Sequence, residues 1–189
     1  MTKIRSLKPN VTREQAIRCF TEGALNVAAN FLRGHVRSVA ELYIPYRLFQ
    51  VKVFNRGREE SQILGVDAVR GVLDLYRFAA PPAGSELLNV ETRNALPPGL
   101  DAAQIEARLI GKIRRVIFTR GFFRVRELRI EALPLPGDVW LPYWVCFRGS
   151  GERAHLAVLD AVRRRREGAK VRRLVEEWLR SDAGTSVAS

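Results

Sequence analysis

The chain has 189 residues, of which 47% are hydrophobic and 28% charged, and it carries a net charge of +12 at pH 7. That length can bury a real core. No apolar run approaches the roughly 18–20 residues of a membrane helix, and the opening MTKIRSLKPNVTREQ lacks the apolar region of a secretory signal. A membrane span is therefore not expected, and the expected location is cytoplasmic. The basic balance, with an isoelectric point near 10.7, admits nucleic acid, anionic membrane or acidic protein as partners. It does not form a tail. Residues 1–100 carry 14 basic and 9 acidic groups, residues 101–189 carry 18 and 11, and arginine outnumbers lysine 27 to 5.

The first predicted element is a helix. Thr12 is placed as N-cap with Gln15 three residues on, as in a capping box. Ile17, Phe20, Ala24, Val27 and Phe31 then recur at spacings of 3 and 4, which predicts an apolar stripe on about 18 residues ended by Gly34. Strands follow at LFQVKVF and QILGV around the turn NRGREE, then a DAVRG turn and VLDLYRF. Two Pro/Gly-rich loops, AAPPAGSE and ALPPGLD, flank a weakly patterned piece. Asp101 and Gln104 mark a second capped helix with the stripe Ile105, Leu109, Ile113 and Val116. FRVRELRIEAL alternates as a half-exposed strand that PLPG is expected to break. DVWLPYWVCF and AHLAVL then read as paired strands around RGSGER. Val171, Leu174, Val175, Trp178 and Leu179 give the last helix a buried face, and SDAGTSVAS reads as a disordered tail.

Two segments match. LYIPYRLFQVKVFNRGREESQILGVDAVRG and VWLPYWVCFRGSGERAHLAVLDAVRR share Pro45 with Pro142, Tyr46 with Tyr143, and Asp67 to Arg70 with Asp160 to Arg163. A capped helix precedes each. The expectation is an α+β fold made of two degenerate helix-plus-antiparallel-hairpin repeats packed together, with a C-terminal amphipathic helix. Residues 1–80 form the first repeat, 81–100 a connection, 101–180 the second repeat with the last helix, and 181–189 the tail, all within one unit. Ile44/Leu141, Tyr46/Tyr143 and Leu48/Val145 are apolar in both copies and read as core. The opposite face differs, with Arg47 against Trp144 and Phe49 against Cys146, and is open to packing one half on the other.

The strand LPYW leading through a hairpin to LDAV, like IPYR leading to VDAVRG, resembles a module of uncharacterised bacterial proteins in which an aromatic-proline strand and hairpin end in a D/N-x-x-T-G turn. It is distantly similar to the meander of PepSY domains. The resemblance covers about 30 residues per copy. It implies a small α+β fold without catalytic residues. The turn departs from the pattern: Arg70 stands for Thr before Gly71, and Arg163–Arg164 stand for the Thr-Gly pair.

No residue cluster carries recognisable chemistry. Cys19 and Cys146 share no CxxC spacing and read as small buried hydrophobes. His35 and His155 are solitary, so neither a metal nor a cofactor is expected. Asp67 and Asp160 read as acceptors of backbone N–H groups in their own turns, with a symmetric acid pair as the sharper alternative. Trp140, Trp144 and Arg47, on the unshared face, are candidate interface residues. Arg163, Arg164, Arg165 and Arg166, with Lys170, Arg172 and Arg173, are a candidate polyanion-binding set. The leading expectation is a non-enzymatic module that binds a macromolecule, protein first. The second is a nucleic-acid or polyanion binder, and the third an enzyme with its site between the halves. Nothing in the pattern fixes an oligomeric state.

Overall fold

Two twenty-residue strands organise the computed structural model, which describes residues 1–22, 34–119, 127–149 and 155–186. β2 (Val36–Asn55) and β6 (Arg129–Arg148) run antiparallel along most of their length. Around them stand β1 (Thr2–Leu7), β3 (Arg58–Asp67), β4 (Tyr76–Phe78), β5 (Leu87–Thr92), β7 (His155–Asp160) and β8 (Arg165–Arg166). The main sheet path is β4-β3-β2-β6-β1-β5, and β7 and β8 continue from the far edge of β6. Helices α1 (Arg13–Thr21), α2 (Ala102–Thr119) and α3 (Ala169–Ser186) cover the sheet. The architecture is α+β.

The proline in each matched motif has a place in this topology. The outer edge of β2 meets Ala95 at Tyr43 and β3 from Tyr46 onward; the outer edge of β6 meets β1 at Trp140 and β7 from Tyr143 onward. Pro45 and Pro142 sit where the partner changes, a point at which a residue with no N–H leaves no donor unsatisfied. Their carbonyls accept from the N–H groups of Ala68 and Ala161 at 2.8 and 3.1 Å.

The caps are where the sequence places them. Thr12 and Gln15 exchange side-chain and backbone bonds, and Asp101 and Gln104 do the same. Ala24, Val27 and Phe31 of the first predicted stripe lie outside the described residues. In the second stripe Ile105, Leu109 and Ile113 are buried, but Val116 is exposed. The β2–β3 hairpin closes through Arg56 and Gly57, both at positive φ (54° and 72°), the conformation a two-residue type I′ turn requires.

Several expectations need correction. PLPG does not end a strand: β6 continues through Pro134, Leu135, Pro136 and Gly137, and the irregularity appears as a register shift opposite Leu48. A bulge absorbs prolines that a regular ladder cannot. Residues 81–100 are more than a connection, because β5 pairs with β1 from Thr2↔Thr92 to Leu7↔Leu87. The last helix extends to Ser186 rather than giving way to a tail after 180. Cys19 is exposed, unlike buried Cys146.

The alternation expected of the matched strands sorts the core. Ile44, Tyr46, Leu48, Leu141, Tyr143 and Val145 join one cluster, closed by Val171, Leu174 and Val175 of α3. The opposite face is divided. Phe49, Val51, Leu64 and Val66 pack on Ile105, Leu109 and Ile113 of α2. Trp144, Cys146 and Leu159 pack on Val11 and on Ala16 and Phe20 of α1. The N-terminal helix thus covers the C-terminal hairpin, while α2 covers the N-terminal one.

Candidate functional site

The DAVR turns show how the two matched segments differ. Asp67 Oδ1 accepts from the N–H groups of Arg70 and Gly71, and its Oδ2 from Leu73, all at 2.8–2.9 Å. Asp160 Oδ1 likewise accepts from Val162 and Arg163 at 2.8 Å, but its Oδ2 is buried with no hydrogen-bond partner. The reason lies six residues along. Leu73 turns its N–H onto Asp67, whereas the corresponding residue, Arg166, is in β8 opposite Leu159. Burial raises the Asp160 carboxyl above the ordinary carboxylate range, against the opposing pull of its two backbone donors and of Arg163.

At the fourth position after each aspartate the backbone is left-handed, with φ of 66° at Gly71 and 57° at Arg164. Glycine is indifferent to this conformation, but a side chain is strained by it. Arg164→Gly is expected to raise stability by about 0.5–1 kcal/mol, read as a higher urea midpoint at unchanged slope.

Asp160 opens onto a cavity of about 340 Å³. Tyr46, Leu73, Asp74 and Tyr76 line it from the N-terminal part of the chain; Tyr143 and residues from Asp160 to Val171 line it from the C-terminal part. Tyr46 and Tyr143, paired hydroxyl to hydroxyl at 3.1 Å, join the two. The Tyr76 hydroxyl is buried and, like Asp160 Oδ2, has no hydrogen-bond partner. Burial, the leading cause in each case, raises all three phenols above the normal tyrosine range, so they act as neutral donors and acceptors. Gly168, which precedes α3, and Ala169 and Lys170 in its first turn also line the cavity, and that turn contains no acidic residue.

The arginine run does not form one surface. Arg163 lies 3.3 Å from the centroid of the Tyr76 ring. Arg165 pairs with Glu167 at 3.1 Å. Arg166 bonds to the Cys19 carbonyl and stands over Phe20 of α1, and Arg164 is exposed. Lys170 pairs with Asp74. Of the seven expected polyanion ligands, Arg163, Arg165 and Lys170 come together in the cavity. Arg172 is half-buried and Arg173 exposed on α3. Ring faces, Glu167 and Asp74 relieve much of the mutual repulsion among these cations.

The candidate interface residues are engaged inside the chain. Trp144 is 5% exposed and its indole N–H donates to the Val11 carbonyl at 2.9 Å. Half-buried Trp140 reaches the Leu96 carbonyl at 3.4 Å. Arg47 holds Asp138 with two bonds, of 2.8 and 3.1 Å, across β2 and β6. The unshared face differs between the segments because each of these residues meets a different neighbour of the same chain.

Among the described residues no group of His, Cys, Asp and Glu is placed to hold a metal, and no helix is long and apolar enough to cross a membrane. Comparisons with protein-family models, with curated proteins and with solved structures give no match.

Proposed function

We propose that the protein is a binding module whose ligand occupies the cavity between the two matched segments, and that these segments are degenerate copies that diverged at Asp67 and Asp160. The observation that carries this reading is that two residues lining one cavity, Asp160 and Tyr76, each hold a buried polar atom without a hydrogen-bond partner, Oδ2 and Oη. An unsatisfied buried polar group costs about 1–3 kcal/mol. Two of them at one cavity are explained by a ligand that satisfies both. The cavity lies near the lower end of the roughly 300–1,000 Å³ typical of small-molecule sites, so a metabolite fits it better than a macromolecular segment. The earlier expectation of a protein partner loses its anchors with Trp144 and Arg47.

The test is a melting-temperature screen of the full chain against a library of small polar metabolites. A saturating ligand at 100 times its Kd stabilises by about 2.7 kcal/mol, a shift of roughly 5–11 °C for a chain of this size. Ala169→Trp, at the cavity rim, should abolish the shift. If no compound shifts the melting temperature, or if shifts persist in Ala169→Trp, the reading fails. An enzyme using the same cavity would convert the bound compound on incubation, whereas a binding module returns it unchanged. Salt-sensitive binding of nucleic acid, lost when Arg164, Arg172 and Arg173 are replaced and accompanied by no metabolite shift, would favour the polyanion alternative.

A further inference from the structure

The two matched segments meet in a register that nothing in either segment alone requires. Along β2 and β6, Ile44 lies opposite Leu141, the residue it matches. Leu42 therefore faces Tyr143 as Tyr46 faces Val139. Reciprocal pairing of this kind belongs to a twofold axis, which here passes between Ile44 and Leu141. The Tyr46 and Tyr143 hydroxyls, 3.1 Å apart, bond to each other across it.

Neighbouring elements follow the same axis. Tyr46 pairs with Asp67 and Tyr143 with Asp160. Ala95 bridges Tyr43 in parallel, and Ser6 bridges Trp140 in parallel. The Gly99 N–H donates to the Ala68 carbonyl at 2.9 Å, and the Asn10 N–H to the Ala161 carbonyl at 2.8 Å. Ser6, Asn10 and the N-cap Thr12 have the same spacing as Ala95, Gly99 and the N-cap Asp101, so each capped helix arrives by the same route. Each then packs on the other segment. Ile105 and Leu109 of α2 meet Val66 and Ala68, while Ala16 and Phe20 of α1 meet Leu159 and Ala161. Past the matched turns the segments part, the first entering β4 and the second β8 and α3.

We infer that the chain is a fused homodimer: two copies of one unit, joined through an isologous interface whose natural partner is a second copy of that unit. A twofold operator generates every contact twice, and the strand pairing, the bridges, the backbone bonds and the helix docking all occur twice. Exchange of identical helices is a low-cost route to such a dimer. It also makes the partner necessary, because a single unit leaves the apolar face of its hairpin in water. The continuation into α3 on one side is what a dimer can acquire only after its copies share a chain.

This inference goes beyond the binding-module reading and does not use the cavity, so an empty melting screen leaves it standing. Its test uses the full chain with a protease site inserted between Ala79 and Ala80, both exposed and just beyond β4. A second chain, with the site between Ala83 and Gly84, guards against an insertion that disturbs β4. After cutting, the two pieces should elute together at the size of the uncut chain with an unchanged circular dichroism spectrum. Tenfold dilution should lower the urea midpoint of the cut chain by roughly 0.5–1 M and leave that of the uncut chain where it was. Refolding the cut chain from urea should yield, on native mass spectrometry, a homodimer of N-terminal pieces beside the rejoined pair, because β2 can face a second β2 across Ile44. Pieces that separate in native buffer, or a midpoint that ignores dilution, overturn the exchanged arrangement. Recombination into the mixed pair alone overturns the isologous interface.

Discussion

Asp67→Asn is expected to destabilise the protein by about 1–3 kcal/mol, whereas Asp160→Asn at pH 7 should leave stability unchanged or raise it. The two residues occupy matched turns and both are buried, at 0% and 1% exposure. They differ in what their second oxygen does. At residue 67 an amide nitrogen replacing Oδ2 faces the Leu73 N–H, so a buried donor loses its acceptor and meets another donor. At residue 160 the same replacement removes an oxygen that accepts nothing, keeps Oδ1 for Val162 and Arg163, and removes a charge that burial disfavours.

The pH dependence separates the variants further. Asp160 is shifted upward by burial, with Glu167 adding to the shift and Arg163 opposing it. Between its unfolded value, near 3.8, and its higher folded value, the native state holds the proton more tightly than the unfolded state does. The stability this contributes is fully present below the unfolded value and is lost as pH rises through the folded one. Asp160→Asn carries no such loss, so its advantage over the parent should grow between about pH 3 and pH 7. Urea midpoints measured across that range check it. A gap that shrinks with rising pH, or equal costs at 67 and 160, would sink this account of the two turns.

The contrast also shows how much the sequence could reveal. Caps, stripes and the shared strand face depend on local spacing, and Thr12, Asp101, Ile105, Tyr46 and Tyr143 could be placed from it. The pairing of β2 with β6 across about ninety residues leaves no local signature. Nor does the placing of α1 on the C-terminal hairpin. Both depend on which apolar faces meet, so PLPG was read as a break and Trp144 as an outward anchor. The cavity was partly legible. Asp160 stood out through its match with Asp67, and the altered turn, AVRRRR in place of AVRGVL, was visible as a departure. Its consequence was not visible, because the missing third donor follows from Arg166 entering β8. Tyr76 gave no signal, since only the fold brings its ring beneath Arg163.

Trp144→Ala should carry the largest cost, about 3–5 kcal/mol, or roughly 6–20 °C of melting temperature for a chain of this length. The side chain fills the space between the C-terminal hairpin and Val11, Ala16 and Phe20, and well-packed surroundings do not collapse to fill such a void. The truncation also leaves the Val11 carbonyl without its indole donor. Trp144→Phe, which keeps a ring in place, should cost about half as much. Arg47→Ala, at the matched position, should cost about 1 kcal/mol, because a partly exposed ion pair contributes little. A docking anchor gives the opposite pattern, with stability of the isolated chain unaffected and only association impaired. Differential scanning calorimetry of the three variants decides between these roles. If Trp144→Ala melts with the parent, then α1 does not depend on this indole for its hold on the C-terminal hairpin, and the burial of Trp144 between them has no energetic meaning.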